Sequence, residues 1–129
     1  MRNLRKKSFH LLINILFPLG AVFILIVSLL PTLAIPQSDI PNLDKLLHAS
    51  AYFFLGISAY FFFYLKKPSA GGALLFSVLF CTLWGIGIEL LQAYTGRSPE
   101  VLDAVMDFCG CLLGSLVSRA VPARVITGG

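Results

Sequence analysis

The sequence predicts an all-α fold, an integral membrane bundle of four transmembrane helices with both termini cytoplasmic. Of the 129 residues 57 % are apolar and only 12 % are charged, and the mean hydropathy is +0.87. A soluble domain is about 45–50 % apolar and about 25 % charged, so this chain carries half the charge a water-facing surface needs. A soluble globular domain and a disordered tail are both excluded. The length allows one domain, residues 1–129, with no room for a separate soluble catalytic module. Cys81, Cys109 and Cys111 all lie in apolar runs, with neither a zinc spacing nor a disulfide framework, and read as small buried residues.

A helix crosses the hydrocarbon with ~20 apolar residues, because each adds ~1.5 Å to a layer ~30 Å thick. Leu11 to Leu30 is the first such stretch, with Asn14 and Pro18 inside it and Pro31 closing it. Arg2, Arg5, Lys6 and Lys7 ahead of it also suit a cleaved signal peptide. Its run exceeds the ~7–15 apolar residues of such peptides, and Pro31-Thr32-Leu33-Ala34 offers no clear cleavage site, which favours an uncleaved anchor. Leu46 to Leu65 is the second helix, carrying His48 and an aromatic run, Tyr60 to Tyr64, of the kind found at membrane interfaces. Ala70 to Leu91 is the third, with Glu89 near its far end. The fourth, Leu102 to Val121, is the weakest, because it contains Asp103, Asp107 and Arg119; a re-entrant hairpin is the alternative there.

Cytoplasmic loops collect lysine and arginine. Four crossings from a cytoplasmic N-terminus put Arg2, Arg5, Lys6, Lys7, Lys66, Lys67, Arg119 and Arg124 inside, leaving Lys45 and Arg97 outside. Three crossings would expel Arg119 and Arg124, so the charge bias supports the fourth helix. No basic segment has the length or aromatic interleaving of a nucleic-acid site.

All six carboxylates, Asp39, Asp44, Glu89, Glu100, Asp103 and Asp107, then fall on the outer side. Asp44, His48, Tyr52 and Gly56 form one stripe of the second helix. Ser77, Cys81, Gly85 and Glu89 form a row of the third, followed by Gln92. Asp103, Asp107, Gly110 and Gly114 do the same in the fourth, and small residues at this spacing let helices approach closely in lipid. Acids inside an apolar run avoid acyl chains, so Glu89 and Asp107 are expected to turn inward, toward Arg97, Lys45 or His48. Asp44 and Asp103 also suit first-turn or boundary positions without any site role. His10 and Asn14, one turn apart near the cytoplasmic end, read as structural.

Asp44-Lys45-Leu46-Leu47-His48 with Tyr52, Glu89-Leu90-Leu91-Gln92, Arg97, and Asp103 with Gly110 and Gly114 resemble the VanZ-like family, over a core of about residues 40–114. One position departs: the family usually has Asn where Asp107 stands. The resemblance implies a small multi-helix protein of the bacterial cytoplasmic membrane in a cell-envelope setting. The family is named for a member associated with low-level resistance to the glycopeptide teicoplanin.

Two functions from different classes follow. In the first, an outer pocket of Asp44, Lys45, His48, Tyr52, Glu89, Gln92, Arg97, Asp103 and Asp107 binds the polar head of a lipid-linked cell-wall intermediate or an amphiphilic drug, alongside membrane lipids. Arg97 would grip phosphate or carboxylate in a two-pronged fork. In the second, His48 oriented by Asp44 is a general base and Glu89 an acid acting on a lipid ester or phosphodiester. No nucleophile elbow, phosphate loop or zinc-protease motif accompanies them. One histidine with several carboxylates suits a divalent ion, but no spacing marks a metal motif, so neither metal nor cofactor is assigned. A packing protein without ligand is a third alternative, and a homo-oligomer that completes the site stays open.

Overall fold

The computed structural model describes residues 2–30, 41–96 and 98–122. They form four helices, α1 Arg2–Leu29, α2 Leu43–Lys66, α3 Ala70–Gln92 and α4 Val101–Arg119. Each is long and apolar enough to cross a membrane, and the protein is a multi-pass membrane protein.

The helix bounds differ from those expected mainly at α1, which begins at Arg2 rather than Leu11. Lysine and arginine are good helix formers, so the charge ends the apolar run without ending the helix. Pro18 is accommodated inside α1, as happens in membrane helices whose neighbours re-satisfy the freed carbonyl. The weak fourth segment is one continuous helix of 19 residues, which rules out the hairpin. Ser69 starts α3 by accepting the Gly72 N–H at 3.2 Å. Gly96, at φ 77, takes the left-handed conformation needed to turn the chain after α3.

Packing follows the small residues. A Cβ at Gly110 would fall on the Ala49 carbonyl oxygen, one at Gly114 on that of Phe53, and one at Gly56 on that of Cys111. The α2 and α4 backbones therefore touch. Ser77 of α3 donates to Ser115 of α4 at 2.9 Å, and Ser115 donates to the Gly56 carbonyl at 3.3 Å. Tyr52, Leu55, Ala59, Cys81, Ile88 and Cys111 fill the centre. α1 joins through large side chains: Phe17 meets Phe62 and Phe80, and the Trp84 Nε1 donates to the Ala21 carbonyl at 3.1 Å.

Two expectations need correcting. Cys109 is exposed, unlike the buried Cys81 and Cys111. It stands two residues from both Asp107 and Cys111, which at about 100° per residue puts it on the opposite face. The aromatic run serves packing as much as the interface, since Tyr60 is buried and Phe62 and Phe63 lie against Phe17.

Candidate functional site

The acids among the described residues gather at one end of the bundle, where α2 and α4 begin and α3 ends; Asp39 lies outside the described residues. On α4, Asp103 and Asp107 are one turn apart on the face that continues into Gly110 and Gly114, so the backbone seam directs both toward α2. Asp107 is 2 % exposed and Asp103 6 %, although both belong to a helix surrounded elsewhere by lipid-facing leucine and valine.

Lys45 is buried and surrounded by carboxylates. Its Nζ lies 2.8 Å from Asp44 Oδ2 and 2.6 Å from Asp103 Oδ1, and it also pairs with Glu100. The Asp103 contact is an ion pair lacking hydrogen-bond alignment. Asp44 and Glu100 are more than half exposed, so those two contacts are partly hydrated and modest in strength.

His48, one turn on, sits between two acids. Its Nδ1 is 2.9 Å from Asp107 Oδ1, and its Nε2 is 3.6 Å from Asp103 Oδ2. With Nδ1–H donating to Asp107, the neutral ring turns the Nε2 lone pair toward Asp103. Asp44, the partner expected for His48, is taken by Lys45 instead, because Asp107 approaches the ring from across the seam.

Glu89 completes the cluster from α3. It is 7 % exposed; its Oε2 accepts the Glu100 backbone N–H at 3.0 Å, while Oε1 is buried without a hydrogen-bond partner among the described residues. One ligand atom from each of His48, Glu89 and Asp103 falls within 4.8 Å of the others. Beneath them, a Cβ on Gly85 would stand 3.0 Å from Asp107 Oδ2 and 3.4 Å from the Tyr52 hydroxyl. Tyr52 is buried at the floor of the cluster, its hydroxyl without a hydrogen-bond partner among the described residues.

Of the residues expected in the pocket, Asp44, Lys45, His48, Tyr52, Glu89, Asp103 and Asp107 are brought together. Gln92 is not. Its Nε2 donates to the Ser28 carbonyl of α1 at 3.0 Å, tying α3 to α1. Arg97, the first partner expected for Glu89, lies outside the described residues. Glu100 was not anticipated as a site residue, yet it contributes a carboxylate to Lys45 and a backbone N–H to Glu89. The available signal was its position immediately before α4, three residues ahead of Asp103, where one turn's spacing gives them a common side.

Beside His48 opens a groove of about 290 Å³ between α1 and α2, lined by Phe23, Ile24, Val27, Leu47, Ala51 and, at its charged end, Asp44 and His48. A depression of about 400 Å³ on the other side of α2, around Phe53, Cys109 and Leu113, has no ionised group in its lining.

The VanZ/LLP1 family model matches residues 4–122. The chain belongs to this family. No curated protein and no solved structure matches the chain. The family match extends well beyond the motif core at residues 40–114 and takes in α1, so the helix that closes the groove belongs to the family unit.

Proposed function

We propose that this VanZ/LLP1-family protein binds an amphiphilic ligand of the cell envelope at the outer face of the membrane. The polar head sits on the Lys45–His48 cluster and the apolar part in the α1–α2 groove. The single observation that carries this reading is the groove itself: an apolar trough walled by Phe23, Ile24 and Val27 that ends on Asp44 and His48. Sites for small molecules are typically apolar concavities with a few fixed polar groups, and this one adds the polarity gradient of an amphiphile. The lysine and arginine bias orients that charged end outward, where lipid-linked cell-wall intermediates and glycopeptides are met. The association of the family's namesake with teicoplanin is consistent with such a ligand, and a role in glycopeptide resistance is part of this proposal.

Native mass spectrometry of the gently extracted protein tests it. One lipid class is expected to stay bound, and Val27→Trp, which fills the groove, should lower its occupancy about tenfold, equivalent to about 1.4 kcal/mol. A protein that emerges without any lipid, or retains it equally after Val27→Trp, overturns the reading.

A second reading, an intramembrane acid/base enzyme acting on a lipid ester or phosphodiester, draws support from His48 held by Asp107 at 2.9 Å. A carboxylate that fixes an imidazole tautomer is the usual partner of a general base. Turnover of a defined phospholipid, lost in His48→Gln, would favour it over binding.

A further inference from the structure

We propose that His48, Glu89 and Asp103 bind one divalent transition-metal ion, with Zn²⁺ the best match to the donor set. Whatever ligand the groove holds, the cluster carries an excess of negative charge: among the described residues it has Asp44, Glu89, Glu100, Asp103 and Asp107 against the single cation Lys45. Lys45 answers the exposed side of that excess. Among the described residues the buried side, toward Glu89 and Asp107, has the imidazole alone.

The geometry marks where a second cation fits. Ligands about 2.0–2.2 Å from a tetrahedral zinc stand ~3.4 Å apart. His48 Nε2 and Asp103 Oδ2 are 3.6 Å apart, and the Glu89 ligand atom completes the triplet within 4.8 Å. Glu89 Oε1 is the independent sign. Among the described residues this carboxylate oxygen has no donor, so burial costs it solvation that nothing replaces, and it belongs to a side chain that is 7 % exposed and adjoins the other two ligands. A bound cation would remove that cost.

The surrounding groups are arranged as at metal sites. Histidine ligands commonly donate their other ring N–H to a carboxylate, which fixes the tautomer and strengthens the donor nitrogen. Asp107 does this at His48 Nδ1. Asp103 serves both cations, Oδ1 for Lys45 and Oδ2 for the ion. Three protein ligands leave a fourth position open, the arrangement of zinc sites that take up an external oxygen ligand such as a water or a phosphate. The neighbouring triplet Asp44, Glu100 and Asp103 is not a rival, because the Lys45 ammonium already contacts all three of its acids.

The test uses the full chain in detergent with any affinity tag removed, stripped with a chelator, loaded with excess ZnCl₂ and desalted. Mass spectrometry of the metal should find about one zinc per chain. Glu89→Gln and His48→Ala should lose it, and Asp107→Asn, which leaves all three ligands in place but weakens the hold on the ring and the donor strength of its nitrogen, should weaken retention by about 10- to 100-fold. Asp44→Asn should retain it. If His48→Ala fails to fold, zinc-edge X-ray absorption on the unaltered protein decides instead: a shell of imidazole nitrogen and oxygen supports the site. Sulfur ligation, which would place the ion on Cys81, Cys109 or Cys111, overturns it. So does a protein that retains no zinc, or one in which Glu89→Gln retains as much.

Discussion

The seam between α2 and α4 and the junction of α1 with the other helices are built from opposite materials. In the seam, Gly56, Gly110 and Gly114 leave backbone against backbone, with Ser115 fully buried beside them. At α1, contact is made by Phe17, Trp84 and a glutamine tip, and a groove of about 290 Å³ remains where the rings do not fill the gap. Close backbone contact fixes the relative height and rotation of two helices, since a shift in either direction collides. Ring contacts tolerate sliding. The two junctions divide the labour: the seam holds His48 against Asp107 with fixed geometry, and α1 walls a groove that can adjust.

The largest effect should come from breaking the seam. Gly114→Leu would drive a side chain into the Phe53 carbonyl, and because backbone cannot yield as a side chain does, the cost should exceed the ~1–3 kcal/mol of ordinary overpacking. Folded, monodisperse yield in detergent should collapse. Leu113→Ala, at an exposed neighbouring position, should change stability by no more than about 0.5 kcal/mol. Equal tolerance of the two would mean that the seam does not hold the cluster together.

Phe17→Ala probes the other side of the comparison. It removes ring contacts with Phe62 at 4.7 Å and Phe80 at 4.9 Å between centroids. The cost should be about 2–3 kcal/mol, at or below the low end of the ~3–5 kcal/mol seen for such truncations in soluble cores, because acyl chains can occupy the space. Hydrogen exchange should rise in α1 while α2 and α4 keep their protection. Exchange rising equally in all four helices would show one cooperative unit and erase the distinction.

The seam was legible in the sequence because its signal is local: Gly110 and Gly114 are four residues apart on one helix, and small residues at that spacing have one common use in lipid. The inward turn of Glu89 and Asp107 was legible for a similar reason, since an acid in an apolar run has few places to go. Pairing was not. Asp44 and His48 share a stripe, but whether the ring turns along its own helix or across to α4 depends on how closely Asp107 approaches, a distance set by Gly110 packing on Ala49. Gln92 continued the polar end of α3 in sequence, yet at three residues beyond Glu89 it is rotated by about 60°, enough to aim it at α1. The groove left no local mark at all, because its walls come from helices joined through residues 31–40, outside the described part.

The smallest effect should come from Ser115→Ala, although this hydroxyl is wholly buried and links three helices. Removing a buried partner is costly when it strands the group left behind. Here nothing is stranded. Ser77 has a second acceptor in place, the Leu74 carbonyl of its own helix at 3.0 Å, and its hydroxyl proton can serve only one acceptor at a time. The Gly56 carbonyl lies in the interior of α2, where the helix supplies its own donor. Alanine is also smaller than serine, so the seam closes without collision. The loss should therefore be near the ~0.6 kcal/mol average of hydrogen bonds between membrane helices, measured by reversible unfolding in mixed micelles. A loss above about 2 kcal/mol would show that the hydroxyl pair, rather than the glycines, holds α3 to the seam.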